Sequence, residues 1–170
     1  MTIPVLFMYS QSYFGSDCGV HARIIRAFDR RDVEVHIACN TQYPLKGQPR
    51  SWDHVAKLRD VFVKPVDFGP TITGQDRKTV LANLLKTYVL PVELLRLAAY
   101  IRKHKIQVIH GTEKPRDAFY GVLLGKLTGA KSIVHVHIGY DARWLSPLVK
   151  WALKNADGVI GVSQFVANTL

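Results

Sequence analysis

The stretch that decides the fold is IQVIHGTEKPRDAFYGVLLGKLTGAKSIVHVHIGYD, residues 106–141. It begins with an apolar run, Ile106–Ile109, and a second β-rich run follows at Ser132–Val136. Between the two runs, Pro115 opens a helical segment that Gly129 closes. Both runs have the composition of strands that are buried on two faces, which is typical of a parallel sheet. A strand–helix–strand unit of this kind crosses over right-handed, so both strands end at the same edge of the sheet.

Polar residues follow both strands at that edge, His110–Lys114 after the first and His137–Asp141 after the second. Open α/β sheets bind their ligands outside the carboxyl ends of their strands. We therefore expect the chemistry of the protein to lie on these two segments.

The rest of the chain repeats the alternation of strand and helix. Further strands are predicted at Ile3–Tyr9, Val33–Ala38, Val61–Phe68 and Asp157–Val162. Helical patterns start at Gly19 and at Ser163 and cover Trp52–Leu58, Arg77–Lys105 (interrupted at Pro91) and Trp144–Lys154. Six strands in this arrangement predict one Rossmann-like, doubly wound α/β domain over residues 1–170, with a mostly parallel sheet in the order 3-2-1-4-5-6.

Composition restricts the class of protein. The chain of 170 residues is 48% hydrophobic, which is typical of a globular domain, and its net charge of +10 predicts an anionic partner. Its two cysteines, Cys18 and Cys39, form no disulfide framework and favour a reducing compartment. The start, MTIPVLFMYS, lacks the basic segment of a signal peptide. We expect a cytoplasmic protein.

The loop Gly15–His21 lies after the first predicted strand and before a helix. A helix N-terminus in that position offers free N–H groups to a phosphate. The spacing is not G-x-G-x-x-G, so a plain turn and helix start explains the loop as well.

Three histidines, His110, His135 and His137, raise the question of a metal site. His135 and His137 are two residues apart on a strand and share a face, but no third ligand occurs at a recognised spacing. We therefore predict no metal, and interpret His135 as a core histidine and His137 as the better functional candidate.

The acids near the predicted edge are Asp17, Glu113 and Asp141. None has a visible serine or cysteine nucleophile as a partner, so a hydrolase triad is not supported. Ordinary loop carboxylates explain each of them, although each has the chemistry of a general acid or base.

Residues 77–105 hold seven lysines and arginines and a single acid, Glu93, among leucines and valines at helical spacing. A solvated basic face on a core helix is the simpler interpretation. The more specific interpretation is attachment to an anionic membrane surface. No nucleic-acid-binding motif is found, so nucleic acid is not expected as a partner.

Four segments resemble the amino-terminal half of family 4 glycosyltransferases, which are two-domain enzymes of GT-B architecture. They are VIHGTEKP, AFYGVLLGKLTGA, VHVHIGYD and ADGVIGVSQFVANTL, and GVHARIIRAFDRRDVEV resembles the family's first helix and second strand. The resemblance implies transfer of a sugar from a nucleotide-sugar donor, usually with retention and without a metal or other cofactor. It also implies that this half shapes the acceptor side of the cleft.

Site residues follow from the resemblance by position. Gly19 matches the second glycine of a pair that approaches the donor phosphates, and Cys18 stands where the first usually is. His137 matches a histidine that leans toward the donor sugar, and is therefore the catalytic and donor-binding candidate. The acceptor or cleft candidates are His110, Glu113, Lys114, Asp141 and Ser163.

The family's paired glutamates belong to a second, donor-binding domain that this chain does not contain, so the isolated chain is expected to be inactive. The expected partners are a nucleotide sugar and a glycan or lipid-linked acceptor. The resemblance also implies work at the inner face of the membrane, with which the basic stretch 77–105 agrees. The alternative function is a non-catalytic α/β module that binds an anionic small molecule.

Overall fold

The computed structural model describes residues 2–70, 88–139 and 146–169. Its strands are β1 (Ile3–Tyr9), β2 (Val33–Asn40), β3 (Val61–Val66), β4 (Val108–Thr112), β5 (Lys131–Val136) and β6 (Gly158–Gly161). The helices in the described part of the chain are α1 (Ser16–Ala27), α2 (Ser51–Val55), α3 (Leu90–Lys103), α4 (Pro115–Thr128), α5 (Pro147–Asn155) and α6 (Gln164–Ala167).

The six strands form a single parallel sheet in the order β3-β2-β1-β4-β5-β6. The predicted Rossmann-like fold and its strand order are therefore confirmed. In this order the chain reverses its direction of winding between β1 and β4, and the crevice at such a switch point is where these sheets bind ligands.

Strand β1 shows why the sheet is buried on both faces. Its side chains alternate between two hydrophobic clusters, with Val5 and Phe7 in one and Leu6 and Met8 in the other. The first cluster packs under α1 and the second under α3 and α4. A run without polar residues is what a strand covered by helices on both sides requires.

Helix ends follow the local sequence. Pro115 occupies the first turn of α4, where its missing N–H is not needed, and Gly129 ends that helix with a left-handed φ of 84°. Ser146 and Ser163 cap α5 and α6, since each hydroxyl accepts a hydrogen bond from a backbone N–H three residues on. The predicted helix end at Gly129 and helix start at Ser163 are confirmed.

Several predicted boundaries were wrong, and β4 is the one that matters for the site. We placed its end at Ile109 because His110 and Gly111 are not typical strand residues, yet β4 continues to Thr112. His110 and Gly111 pair with Ile133 and Val134 of β5, and the His110 ring stacks on Phe7. Likewise β2 runs on to Asn40, β3 stops at Val66, and α1 begins at Ser16.

Cys18 and Cys39 are both free thiols and both buried. In the described ranges no helix is long and apolar enough to cross a bilayer. The predicted helical stretches Arg77–Lys105 and Trp144–Lys154 both extend into residues outside the described ranges. Within those ranges they correspond to α3 and α5.

Candidate functional site

The carboxyl edge of the sheet brings together the residues that follow β4 and β5. Glu113 comes directly after β4 and His137 directly after β5, and the two strands are neighbours. The Nδ1 atom of His137 lies 2.9 Å from Oε2 of Glu113, and the backbone N–H of His137 donates to the same oxygen at 3.2 Å. Sequence reasoning named both residues but not their contact.

This pair is largely removed from solvent. The His137 side chain is 8% exposed and that of Glu113 is 4% exposed. Burial alone would raise the pKa of Glu113, but the hydrogen bonds from His137 and from its own backbone, with the nearby charges of His137 and Lys114, hold that pKa below its usual value. An ionised Glu113 therefore fixes Nδ1 of His137 as a donor, and Nε2 is left buried without a hydrogen-bond partner among the described residues.

Three further imidazoles lie beside His137. His21 comes from α1, His110 from β4 and His135 from β5, and one ring nitrogen from each lies within 4.8 Å of the others. Nε2 of His110 is 3.3 Å from Nδ1 of His135, and the ring of His137 lies 4.3 Å from that of His135. The expectation that His135 is a core histidine agrees with its 5% exposure.

His21, His110 and His135, which we call the histidine cluster, are uncharged near pH 7. Burial first, and then the neighbouring histidines His135 and His137, lower the pKa of His110 to about 4. His135 has its pKa lowered to about 4 for the same reasons, partly opposed by Glu113. For His21, burial first and then the other three histidines lower the pKa well below its usual value.

His21 has the least satisfied side chain in this group. It is 0% exposed, and neither ring nitrogen has a hydrogen-bond partner among the described residues. A buried polar group left unpaired destabilises a protein by about 1–3 kcal/mol. Sequence reasoning missed His21 because it sits in a helical pattern, and only the position of α1 beside β4 and β5 reveals it.

The first turn of α1 is where a phosphate contact was predicted. Gly19 lies inside the helix rather than in a loop, and its N–H donates to the carbonyl of Gly15 at 3.1 Å. A Cβ at Gly19 would meet nothing within 4 Å, so there is open space beside it. Asp17 is buried in the same turn.

Lys114 places a positive charge near that turn. Burial works to lower its pKa, but Asp17 and other acidic groups nearby raise it above the usual value. The ammonium lies 4.0 Å from Oε1 of Glu113, and the side chain is 32% exposed. A protonated and partly accessible amine at this edge is suited to contact an anionic group.

The buried carboxylate of Asp117 connects the strand ends at this edge of the sheet. Asp117 of α4 accepts a hydrogen bond from the backbone N–H of Ser10, after β1, at 2.9 Å, and another from the Thr112 hydroxyl at 2.8 Å. The Asn40 amide reaches from β2 to the carbonyls of Ser10 and Gly69, at 2.7 and 3.1 Å. These bonds tie the ends of β1, β2 and β4 together, and sequence reasoning did not anticipate them.

Arg116 extends this support to the chain after β3. Its guanidinium donates to the carbonyls of Phe68, Gly69 and Pro70, the last at 2.7 Å. Burial lowers its pKa. Because its guanidinium holds the segment after β3, we assign Arg116 a structural role at this edge of the sheet.

The remaining sequence-predicted residues lie farther along the chain. Ser163 is exposed and caps α6, where its hydroxyl accepts from Val166. Gly139, in the predicted segment after β5, is close to the Phe165 ring, since a Cβ there would come within 2.9 Å of it. Asp141 lies outside the described residues.

Comparisons with known proteins agree with this fold. HepE (Alr3699) of Anabaena in complex with UDP has a TM-score of 0.62 and 12% identity, over 98% of this chain and 40% of its own. Its complex with UDP and glucose gives 0.61 with the same identity and coverage, and MT0777 gives 0.51 at 11% identity over 95% of this chain and 85% of its own. No curated protein matches the chain at a significant level. This chain thus spans 40% of the length of HepE, and at such identities the likeness shows the fold.

The sequence comparison is more specific. Residues 20–170 match the sequence model of the family described as Glycosyltransferase Family 4, which leaves out little more than β1 and the loop after it. The match includes Glu113, His137 and all three clustered histidines. This chain belongs to glycosyltransferase family 4.

Proposed function

We propose that this domain forms the acceptor side of the catalytic cleft of a retaining glycosyltransferase. The enzyme takes a sugar from a nucleotide-sugar donor and transfers it to a glycan or a lipid-linked acceptor. The family match over residues 20–170 supports the transferase class, and the UDP and glucose held by HepE support the donor class.

The observation that carries the proposal is the double hydrogen bond between Glu113 and His137. It holds the imidazole in one orientation at the carboxyl end of β5, with Nδ1 donating to a carboxylate. The other ring nitrogen, Nε2, has no hydrogen-bond partner among the described residues, so it is free to contact a hydroxyl of the donor sugar. A group fixed before the substrate arrives does not have to reorganise during the reaction, and such preorganisation is a large part of catalysis.

The other candidates divide into contact and positioning residues. Lys114 carries the charge and exposure suited to the donor phosphates, and Ser163 is exposed at the cap of α6. Glu113 and His110 are 5% and 7% exposed, so we give them positioning parts through the residues they touch. Gly19 leaves room beside the first turn of α1 for the donor phosphates to approach.

We further propose that a second domain of the same enzyme binds the nucleotide. Because this chain spans 40% of HepE, the structures that hold UDP are much longer than the domain described. Transfer would then require both domains, and the isolated chain would fold but transfer no sugar.

Replacement of His137 in the two-domain enzyme tests the proposal. Donors from a panel of nucleotide sugars, with glycan and lipid-linked acceptors, are assayed by mass spectrometry, and NMR of the product reports the anomeric configuration. We expect retained configuration, and a loss of turnover of about a hundredfold or more for His137→Ala, as for removal of one fixed transition-state hydrogen bond. His54→Ala, a histidine stacked on Phe14 outside the cluster, is the control.

Melting temperatures separate a site residue from a core residue. Lost turnover with an unchanged melting temperature supports the proposal. A lower melting temperature with normal turnover in the folded fraction assigns His137 to the core. Binding of nucleotide sugars without any transfer by the two-domain enzyme favours a non-catalytic binding module.

We also propose that α3 attaches the enzyme to anionic membranes. One face of α3 packs into the core through Leu97, Ala98 and Ile101. The solvent side exposes large apolar side chains, with Leu95 68% exposed and Val92 50% exposed. The exposed basic residues at and after this face are Arg96, Arg102, Lys103 and Lys105. Exposed apolar and basic groups on one helix are typical of helices that lie on a bilayer surface.

A further inference from the structure

We propose that His21, His110 and His135 form a binding site for one divalent transition-metal ion of the Zn²⁺ class. Three separate elements, α1, β4 and β5, each supply one imidazole to the same point. One nitrogen of each ring lies within 4.8 Å of the other two. This inference does not depend on the proposed transfer reaction.

The spacing of two ligands already fits a bound ion. Nε2 of His110 and Nδ1 of His135 are 3.3 Å apart. In a tetrahedral site with Zn–N distances of about 2.0–2.1 Å, two ligand nitrogens are about 3.3–3.4 Å apart. These two rings therefore hold their nitrogens at the separation that one shared ion requires.

His21 is the residue that distinguishes a metal site from a simple hydrogen bond between two histidines. A bond between His110 and His135 would explain those two residues, but it leaves His21 with two unpartnered nitrogens among the described residues and no exposure to solvent. The centre of its ring lies 5.3 Å from that of Phe7 and 4.7 Å from that of His110. An ion shared by the three imidazoles gives His21 a ligand bond, where the described part of the chain offers its nitrogens no hydrogen-bond partner.

The ligand set indicates which ions fit. Three neutral nitrogens without a carboxylate do not suit Ca²⁺ or Mg²⁺, which prefer oxygen ligands. Imidazole suits Zn²⁺, Co²⁺, Ni²⁺, Cu²⁺ and Fe²⁺, and a four-coordinate ion on three protein ligands keeps one position for a further ligand. His137 is next to the site, with its ring 5.6 Å from that of His21, but it is not one of the three ligands.

The position of the site suggests what the ion would do. It would tie the second turn of α1 to β4 and β5, across the switch point of the sheet. His21 and His135 are both near-neighbours of His137, so the ion would also fix the surroundings of the proposed donor-binding histidine. We assign it a structural and positioning role.

Metal titration of the full chain tests the site. The protein is stripped with a chelator and dialysed, and then titrated with Zn²⁺, Co²⁺ and Mg²⁺ while metal content and melting temperature are measured. We expect one equivalent of Zn²⁺ or Co²⁺ with a raised melting temperature, and no effect of Mg²⁺. His21→Gln and His135→Gln should each weaken Zn²⁺ binding more than about 100-fold, since even outer-shell partners of a metal contribute 10–100-fold. His54→Gln is the matched control and should bind normally.

Spectroscopy on the wild-type protein keeps the test independent of variant folding. X-ray absorption of the Zn²⁺ form should show three imidazole nitrogens at about 2.0–2.1 Å. The Co²⁺ form should have the visible absorption of a four-coordinate ion. A folded wild-type chain that takes up no stoichiometric Zn²⁺ overturns the proposal. So does binding that survives in both His21→Gln and His135→Gln, or that is lost in His54→Gln.

Discussion

One carboxylate oxygen of Glu113 accepts two hydrogen bonds from His137, one from Nδ1 at 2.9 Å and one from the backbone N–H at 3.2 Å. The contact joins the turn after β4 to the turn after β5, at the edge where a parallel sheet binds its ligands. Because both side chains are buried, the pair decides the orientation of the imidazole as well as the shape of the edge.

Loss of the Glu113 carboxylate should therefore destabilise the domain. Glu113→Ala leaves two donors of His137 unpaired, and we expect the free energy of unfolding to fall by about 1–3 kcal/mol. Urea unfolding measures this. Glu113→Gln is the matched control, because its carbonyl oxygen still accepts both hydrogen bonds, and it should lower the stability by less than half as much. Equal losses in the two variants would show that the charge matters and the double hydrogen bond does not.

Asp117 predicts a pH dependence of stability. Burial raises its pKa to about 6, although hydrogen bonds from Ser10 and Thr112 oppose that rise. Its folded-state pKa lies above the ordinary value of 3.8, so the folded protein holds this proton more tightly than the unfolded chain does. The stability gained from protonation is present below about pH 4 and is lost as the pH rises through about 6.

Comparison with Asp117→Asn isolates this effect. The amide keeps an acceptor for the Ser10 N–H and does not titrate, so its stability should lack this pH-dependent component. The difference in unfolding free energy, wild type minus variant, should fall by up to about 3 kcal/mol between pH 4 and pH 6. Urea unfolding at several pH values gives the two curves, and parallel curves would mean that Asp117 titrates normally.

Local sequence patterns were enough to predict the sheet. The uninterrupted apolar run of β1 meets helices on both faces, and Pro115 and Gly129 mark the ends of α4 as expected from their backbone properties. The end of β4 was predicted too early because a polar residue such as His110 usually ends a buried strand. His110 continues the strand here because its ring is buried against Phe7 and His135.

The site depended on contacts between residues far apart in the chain. Asp117 accepts a hydrogen bond from the backbone N–H of Ser10, which is 107 residues away in the chain. Nothing in the sequence of the first turn of α4 indicates this partner. His21 likewise follows the pattern of a helix that packs on the sheet. The spacing of residues in the sequence does not give the position of α1 or of α4 over the strand ends. The histidine cluster could therefore not be predicted from sequence.

Two glycines of α4 should respond in opposite directions to alanine. A Cβ at Gly125 would lie 2.9 Å from the carbonyl oxygen of Ala130, which is backbone and cannot easily move. A Cβ at Gly121 would lie 3.6 Å from the Ile109 side chain, an ordinary contact. Both positions are buried in the same helix, so they form a matched pair.

We expect Gly121→Ala to stabilise the domain by up to about 1 kcal/mol, because alanine favours the helix. Gly125→Ala gains the same propensity, but overpacking opposes it by about 1–3 kcal/mol, so the net effect is destabilising. Thermal and urea unfolding report both values. Equal stabilisation by the two alanines would show that the approach of α4 to the start of β5 is not tight.

The outer surface of α3 leads to the last prediction, which concerns membrane attachment. Arg96, Arg102 and Lys103 are exposed on this helix, next to the exposed Leu95. Basic residues near an anionic bilayer contribute about 1 kcal/mol each, and salt screens this attraction. In co-sedimentation, the protein should bind vesicles that contain phosphatidylserine, should not bind neutral vesicles, and should dissociate as the salt concentration rises.

The variant Arg96→Ser/Arg102→Ser/Lys103→Ser should bind anionic vesicles about 100-fold more weakly, from three contributions of about 1 kcal/mol each. Its control removes the same charge elsewhere, with Arg23, Arg26 and Lys126, which are also exposed, changed to serine. Circular dichroism verifies that both variants fold, since Arg102 also donates to the Leu127 carbonyl. If both variants lose affinity equally, the net charge of +10 attracts the protein to the bilayer and α3 has no special part. Equal binding of the wild type to anionic and neutral vesicles would exclude an electrostatic attachment altogether.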